Sequence, residues 1–389
     1  MGLAAEVYAE QLLPKAHGLP LWIPEPSKFG EVLIGDVGYV YDGCFYRLFN
    51  VTHPPDDDVN QGGVPEEFEV LEYDPCLLHR VDQYLDAGVV CSKSVARADV
   101  SAAASGGSSV VANAGIGYRF SCSHDQGALL ILKSPASQEV VHPNRAFRDY
   151  MRKHHDSWYD FARRRGLDIQ PGHIILVRGW VKTSEWAVAA FTDSGKNHEV
   201  NFEADAGPFA KASFSVSYSS AVSMSVEHRT GPTKNVKETQ AHVDVQTGLP
   251  QDQCVFLSYY EIKSRGFWTK KKIRAAAEPQ DECDDRPPGP DASAGLDSDG
   301  SSDDSDIDED RPRPRFVDSL NPVLDYILQN SDAQAAIASD DDIRRLLPDG
   351  SWPDDVSSFL DVNKPHITVD SSMSMFSLFP WTHADHSHL

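Results

Sequence analysis

The stretch from Phe214 to Val226 constrains the fold of this chain more tightly than any other, because two kinds of residue alternate along it. Every second residue from Phe214 is apolar apart from one serine, and every residue between them is serine apart from one alanine. Successive side chains of a β-strand point to opposite faces, whereas a helix would mix the two sets. The pattern therefore predicts a long strand with one apolar face and one face of small hydroxyls.

A second alternating region covers residues 90–122 and contains a Gly-Gly pair near its middle. A hairpin with a three-residue loop at 105–107 sets Ile116 opposite Ala96 and keeps the apolar residues of both strands on one face. A two-residue loop shifts the register by one residue and mixes the faces, so we favour the longer loop. A helix over residues 94–104 is the competing interpretation, because alanine is a strong helix former.

Shorter patterns predict the remaining elements. Asp42-Gly43, between two β-rich runs, predicts a tight hairpin, since both residues accept the positive φ angles of such a turn. Large apolar residues at helical spacing predict one long helix from Asn144 to Arg165, with Gly166 as its C-terminal cap. We also predict short helices at 5–14 and 75–85, and buried strands at 127–133, 173–177 and 254–263.

The acidic residues are concentrated in the C-terminal part of the chain. Of the net charge of -24, residues 276–389 contribute -19 and residues 1–275 contribute only -5. The nearly neutral N-terminal part lacks the concentrated basic face that a general nucleic-acid-binding protein needs, so no nucleic acid is expected as a partner. Residues 276–316 are poor in apolar side chains and strongly acidic, which predicts a disordered, self-repelling linker.

These patterns together predict an α+β protein. Its body, residues 1–275, holds a twisted antiparallel or mixed sheet with two long amphipathic β-hairpins and one long helix. The disordered acidic linker follows over 276–316, and apolar stripes at helical spacing predict a small all-α module of three helices over 317–370. Residues 371–389 show no periodicity and are predicted to be a disordered tail.

Targeting signals and disulfide patterns are not evident in the sequence. The first 18 residues lack the basic and apolar regions of a signal peptide, and no apolar run approaches the ~18 residues of a transmembrane helix. The six cysteines lie far apart with no CxxC pair, which argues against a zinc ribbon and against a dense disulfide framework. We therefore expect a cytoplasmic protein with reduced thiols.

No catalytic or cofactor-binding motif stands out in the sequence. The chain has no P-loop, no Gly-x-Ser-x-Gly elbow, no HExxH sequence and no dinucleotide-binding fingerprint. His154 and His155 are adjacent on the predicted helix, so they cannot both face one ligand, and we assign them to its surface or boundary. A metal site formed by the histidines of residues 383–388 is disfavoured because they lie in the predicted tail. We therefore predict a non-enzymatic protein without a cofactor or a metal.

A basic run at the end of the body is the candidate binding site. Basic side chains attract anionic headgroups and tryptophan favours the membrane interface, so the run predicts contact with an anionic membrane surface. The opposing interpretation is a solvated end of the fold, or a clip for the acidic linker that follows. The candidate contact residues are Lys263, Arg265, Trp268, Lys270, Lys271, Lys272 and Arg274.

Two serines of the predicted linker are candidate phosphorylation sites. Ser301 and Ser305 each have an aspartate three residues further on, which is the arrangement that acidophilic kinases favour.

Several segments of the chain, among them GLPLWIPEP, IGDVGYVYDGCFYRLFN, FSCSHDQGALLIL and HHDSWYDFA, resemble a family of uncharacterised proteins from mushroom-forming fungi. The resemblance spans most of residues 18–345 and implies a source, but no activity.

A second resemblance concerns the order of the predicted elements. A long hairpin, a buried strand, a helix, a buried strand, a second long hairpin and a final apolar strand follow one another, and this order resembles the pore-forming domain of gasdermins. In that domain two long amphipathic hairpins flank a helix and open into a membrane barrel. The resemblance implies a membrane-perforating protein that its C-terminal part restrains, with an anionic membrane surface as partner.

A sheet with one solvated face shows the same alternation of side chains, however. The alternative is therefore a protein-interaction module without membrane activity, which binds a partner through the helical module or the tail. Self-association is compatible with both hypotheses.

Overall fold

The computed structural model of the chain describes residues 2–100, 116–122, 124–192, 198–204, 214–218, 226–232, 249–266, 320–347, 352–353, 355–370 and 375–379. Its helices are α1 (Gly2–Leu12), α2 (Arg145–Arg164), α3 (Asn321–Gln329), α4 (Asp340–Leu346) and α5 (Val356–Asn363). Its strands are β1 (Leu19–Pro20), β2 (Asp36–Tyr41), β3 (Cys44–Asn50), β4 (Leu78–Leu85), β5 (Gly88–Cys91), β6 (Val95–Val100), β7 (Ile116–Cys122), β8 (Gly127–Leu132), β9 (Ala136–Val141), β10 (Ile175–Thr183), β11 (Trp186–Phe191), β12 (His198–Ala204), β13 (Phe214–Tyr218), β14 (Val226–Gly231), β15 (Gln253–Ser264), β16 (Ala335–Ser339), β17 (His366–Asp370) and β18 (Met375–Phe379).

The α+β class that the sequence predicts is confirmed, and antiparallel strands form the largest sheet. Its strand order is β1-β15-β10-β2-β3, with β16 also paired to β15, β9 to β10 and β4 to β9. The apolar strand predicted at 254–263 lies within β15, and β10 begins at Ile175, inside the strand predicted at 173–177; both strands lie at the centre of this sheet. Apolar clusters cover both faces there, which explains why the two sequences are almost continuously apolar.

The long helix α2 packs across one face of the large sheet. It begins after Asn144, whose side chain accepts a hydrogen bond from the Phe147 N–H at 3.1 Å. Phe147, Met151 and Trp158 are buried in one apolar cluster with residues of β2, β3, β10 and β15. Gly166 follows with a φ of 75°, the left-handed conformation that commonly ends helices. The prediction of this helix is therefore confirmed.

The two histidines of α2 are buried, which corrects their assignment to the surface or boundary. The ring of His154 lies against that of Tyr150, with 4.4 Å between the ring centroids. The Nε2 atom of His155 lies 2.9 Å from the carbonyl oxygen of Pro171. Both imidazoles thus pack inside the fold, because the helix turns this part of its surface towards neighbouring loops.

Two four-stranded sheets contain the two long alternating regions. Their orders are β14-β11-β8-β5 and β13-β12-β7-β6, so each of four chain segments gives one strand to each sheet. The segments 88–100 and 116–132 form one hairpin, and the segments 186–204 and 214–231 form the other. The hairpins pair with each other through β8 and β11, and again through β7 and β12. The two predicted hairpins are therefore present, and they lie side by side.

The register between the hairpins changes where the segments pass from one sheet to the other. Phe191 lies opposite Gly127 in the first sheet, and His198 lies opposite Cys122 in the second. One segment thus advances seven residues, from 191 to 198, while its partner advances five, from 127 to 122.

The predicted register of the first hairpin is wrong. Ala96 lies opposite Ser121 rather than Ile116. The register is set at the far end of the strands, where Val95 lies opposite Cys122 and both side chains are buried in one apolar cluster. The connection that holds the predicted loop lies outside the described residues. Strand β6 also excludes the competing helix over its part of the chain.

The alternating stretch of the second hairpin is β-structure at both ends. It begins as β13 and ends as β14, while residues 219–225 lie outside the described residues. The two ends belong to different sheets. The strand prediction is therefore confirmed for the ends of the stretch, and its uninterrupted course stays a prediction.

Tertiary pairing overrides the local preference for helix in two places. Residues 75–85 are not helical: a short 3-10 turn at Pro75–Leu77 leads into β4, which pairs with β9. The C-terminal module has its three predicted helices but is not all-α, because β16 pairs with β15 and β17 pairs with β18. Strand β18 also lies in the predicted disordered tail. The acidic linker at 276–316 lies outside the described residues.

Candidate functional site at the edge of the large sheet

The C-terminal residues complete one edge of the large sheet. Strand β15 pairs with β10 along one side, and on its other side it pairs with β1 and then with β16. We call the edge of β15 from Tyr260 to Ser264, together with the side chains of Arg178, Lys263 and Arg265, the docking site. It holds residues 320–347, the docked segment, which contains α3, β16 and α4.

Apolar side chains hold β16 on the docking site from both faces of the sheet. Ile337 belongs to the apolar cluster that contains α2, whereas Ala336 and Ala338 belong to the cluster on the opposite face. Apolar residues of α3 lie in that second cluster, together with Leu257 and Tyr259 of β15. The docked segment therefore shares a core with the body. Full burial of one large aliphatic side chain stabilises such a core by about 1.5–3 kcal/mol.

Arg178 is the polar centre of the docking site. Its side chain is only 2% exposed, although it carries a charge. The Nε and Nη2 atoms donate to Asp340 Oδ1 at 3.2 and 3.1 Å, and Nη2 lies 3.0 Å from Asp341 Oδ2. The Nη1 atom donates to the Val141 carbonyl oxygen at 3.1 Å. The buried guanidinium therefore binds two carboxylates of the first turn of α4 directly.

Burial and charge pairing act against each other in this network. Burial alone would lower the pKa of Arg178, but Asp340 and Asp341 outweigh it and raise that pKa, so the guanidinium stays charged. Burial raises the pKa of Asp340, while Arg178 opposes the shift. The Asp340 carboxylate also accepts the Tyr259 N–H at 3.1 Å. Each ion depends on the other, because either one left alone would be a buried, unpaired charge.

Helix α4 presents its carboxylates because its start is capped. The side chain of Asp342 accepts hydrogen bonds from the Ser339 N–H at 2.7 Å and from the Ser339 hydroxyl at 3.1 Å. This capping box ends β16 and begins α4 at one residue, so Asp340 and Asp341 face the sheet directly after the strand. Strand β16, the capped start of α4 and the pair Asp340 and Asp341 therefore bind the docking site together.

Lys263 and Arg265 hold α3 and the chain that follows it. The Lys263 ammonium donates to Asn321 Oδ1 at 3.0 Å and to Asp325 Oδ1 at 2.5 Å. Arg265 Nε donates to the carbonyl oxygen of Ala333 at 2.7 Å, and its Nη2 donates to that of Leu328 at 2.8 Å. These two basic residues, which were candidates for contact with an anionic membrane surface, therefore bind C-terminal residues of the same chain.

The other candidate residues of the sequence analysis are not brought into this site. Trp268, Lys270, Lys271, Lys272 and Arg274 lie outside the described residues, as do Ser301 and Ser305.

Sequence reasoning missed Arg178, Asp340 and Asp341. A signal was present, because Arg178 interrupts the otherwise apolar run ILVRGWV and three aspartates follow the apolar run AAIAS. A lone arginine inside a buried strand requires a carboxylate partner.

The sheet of β5, β8, β11 and β14 is the second region that bears on function. Leu130 and Val188 on one face lie in an apolar cluster with Tyr8 and Leu12 of α1. A separate apolar cluster, which includes Phe191, covers the other face. Both faces of this sheet are therefore covered. The face that packs against α1 can contact another molecule only after α1 has moved away.

Among the described residues, no group of three His, Cys, Asp or Glu side chains could hold a metal ion. The five cysteines found there, Cys44, Cys76, Cys91, Cys122 and Cys254, carry free thiols. No helix in the described part of the chain is long and apolar enough to cross a membrane.

In comparisons with known proteins, no family model matches the chain, and no curated protein matches it in sequence.

Proposed function

We propose that the chain is a membrane-perforating protein of the gasdermin type, and that the docked segment holds it at rest. The observation that carries the proposal is the pairing of the two hairpins through β8 and β11. Four neighbouring antiparallel segments can extend together without exchanging partners. A strand needs about 9–11 residues to cross a bilayer, and each of the four segments, which consists of two strands of four to seven residues and the residues between them, holds more residues than that.

The docking site supports the second half of the proposal. Strand β15 follows the second hairpin in the chain and lies beside β10, so it joins the hairpins to the docked segment. A segment held by a shared core and by a buried ion pair leaves only when several interactions break together. The docked segment is therefore suited to keep the body in one conformation until it is released.

An anionic membrane surface remains the proposed partner. Lys263 and Arg265 are engaged by the docked segment, so the contact falls to Trp268, Lys270, Lys271, Lys272 and Arg274. We propose that the resting protein is cytoplasmic, where anionic lipids of the inner leaflet are within reach.

The test is dye release from vesicles that contain phosphatidylserine. A protease recognition sequence replaces residues 290–296 of the full chain, so that the linker can be cut after purification. We expect little release from the intact chain, and strong release when the cut chain also carries Ala338→Pro, which weakens the pairing of β16. Lys270→Glu, Lys271→Glu and Lys272→Glu, introduced together, should prevent release. Vesicles of phosphatidylcholine alone serve as the control.

A folded, cut Ala338→Pro chain that releases no dye at micromolar concentration would contradict the membrane proposal. The interaction module would then be the better hypothesis, since the edge of β15 accepts an added strand.

A further inference from the structure

We infer that the docking site also accepts the docked segment of a second copy of the chain, so that copies can exchange residues 320–347. The two chain ends that residues 267–319 connect lie at the same part of the docking site. The Arg265 N–H donates to the Gln334 carbonyl oxygen at 2.8 Å, and Lys263 contacts Asn321. Strand β15 therefore ends, and α3 begins, at the same end of the docking site.

The connecting residues are far longer than this gap requires. Residues 267–319 number 53, counted from the sequence. The sequence predicts disorder for most of them, and a disordered chain of 53 residues would have a typical end-to-end distance of about 40 Å. Covalent connection thus does not decide which copy supplies the segment; the noncovalent contacts and the local concentration decide it.

All contacts between the docked segment and the docking site would be reproduced by a second copy. The β15–β16 ladder, the Arg178–Asp340 pair and the Lys263–Asp325 pair join groups that are far apart in sequence. Exchange of an identical element needs no new complementary surface, which makes it a low-cost route to a dimer. No unrelated partner has this advantage.

Local concentration favours the chain's own segment at rest. A disordered tether, as the sequence predicts for residues 276–316, would hold its segment at an effective concentration of order millimolar. At micromolar protein concentration the closed form therefore predominates, and a second copy competes only when the chain's own segment is weakened. A substitution within β16 creates that condition without changing the docking site itself.

The experiment uses the full chain with Ile337→Asp and a fluorescent peptide of residues 320–347 with the native sequence. Ile337 is buried, so a carboxylate there should displace the chain's own segment. We expect saturable binding of the peptide to this variant by fluorescence anisotropy, and at least tenfold weaker binding to the wild-type chain. A peptide with Asp340→Ala should bind the variant at least tenfold more weakly than the native peptide.

Two controls decide what the docking site recognises. A scrambled peptide of the same composition should not bind; equal binding would assign the site to acidic peptides in general and overturn the inference. The full chain with Ala338→Pro repeats the measurement if Ile337→Asp fails to fold. If the variant that folds, as judged by native circular dichroism, does not bind the peptide, the inference is also overturned. The inference rests on the docking geometry alone, and because the assay contains no lipid, its failure is distinct from that of the membrane proposal.

Discussion

Arg178 joins two parts of the chain that lie far apart in sequence, and it does so in a nearly water-free environment. Its partner Asp340 is 162 residues away. Neither charge is stable there alone, because removal of one member of a buried ion pair typically costs about 3–5 kcal/mol. The pair therefore makes docking of the C-terminal residues conditional on a correct alignment of β16 with β15.

We expect Arg178→Met to lower the free energy of unfolding by about 3–5 kcal/mol, because Asp340 would remain buried without its partner. Urea denaturation measures the change. Arg344→Ala is the matched control: Arg344 also pairs with Asp341, at 2.6 Å, but it is half exposed, so its loss should cost about 1 kcal/mol or less. Equal effects of the two substitutions would show that burial does not govern this network. Asp340→Leu added to Arg178→Met should recover part of the loss.

His17 makes the stability of the protein depend on pH. Burial lowers its pKa, and the charges of Arg344 and Lys15 act in the same direction. The ring lies between Tyr84 and Phe256, with 5.5 and 5.4 Å between centroids. The folded state thus binds a proton less readily than the unfolded chain, in which histidine titrates near pH 6.5. The contribution to stability is complete above about pH 6.5 and is lost as the pH falls towards the folded pKa.

The free energy of unfolding should therefore fall between pH 7 and pH 5, by no more than about 1.4 kcal/mol per pH unit for each such histidine. His154 and His228, whose pKa values burial also lowers, contribute in the same direction. His17→Leu should make the slope shallower in urea titrations at pH 7, 6 and 5. The exposed His142→Gln is the control. An unchanged slope in His17→Leu would remove His17 from the explanation.

Strand β16 depends on main-chain hydrogen bonds as well as on its buried side chains. The Arg265 N–H donates to Gln334. Because hydrogen-bonded and non-hydrogen-bonded pairs alternate along an antiparallel ladder, Glu261–Ala338 is a hydrogen-bonded pair and Ser264–Ala335 is not. The N–H of Ala338 therefore points at β15, and that of Ala335 points away.

Proline should distinguish these two positions. Ala338→Pro removes a ladder hydrogen bond and should expose the docked segment to limited proteolysis within the first minutes of digestion. Ala335→Pro, on the same strand, should be cut much more slowly. The rates are read from mass spectra of the fragments. If both variants are cut equally fast, side-chain packing alone holds β16 in place.

For the protein as a whole, the docked segment behaves as a bound ligand whose link to the body is long. The linker is acidic and poor in apolar residues, so a protease should cut between residues 276 and 316 first. We expect the two fragments of the wild-type chain to elute together in gel filtration, because the shared core and the Arg178–Asp340 pair persist. The fragments of the Ala338→Pro chain should separate. Separation of the wild-type fragments would mean that the linker itself maintains docking.

Local periodicity was enough to predict the elements whose side chains report their own surroundings. Helix α2 shows large apolar residues at helical spacing because one stripe meets the sheet, and β10 and β15 are largely apolar because both faces are covered. The alternation in the hairpins follows from the two-residue period of a strand. These features depend on the repeat of the helix or strand and on which side chains are buried. Both leave a pattern in neighbouring residues of the sequence.

The tertiary structure alone decided the register of the first hairpin, the strand conformation of β16 and the docking site. The alanine-rich sequence of β16 suits a helix, yet five residue pairs with β15 and burial on both faces make it a strand. Lys263 and Arg265 belong to a basic run that is typical of a membrane contact, but their partners lie more than fifty residues further along the chain. Such choices depend on contacts between distant segments, and no local pattern contains the free energy of those contacts.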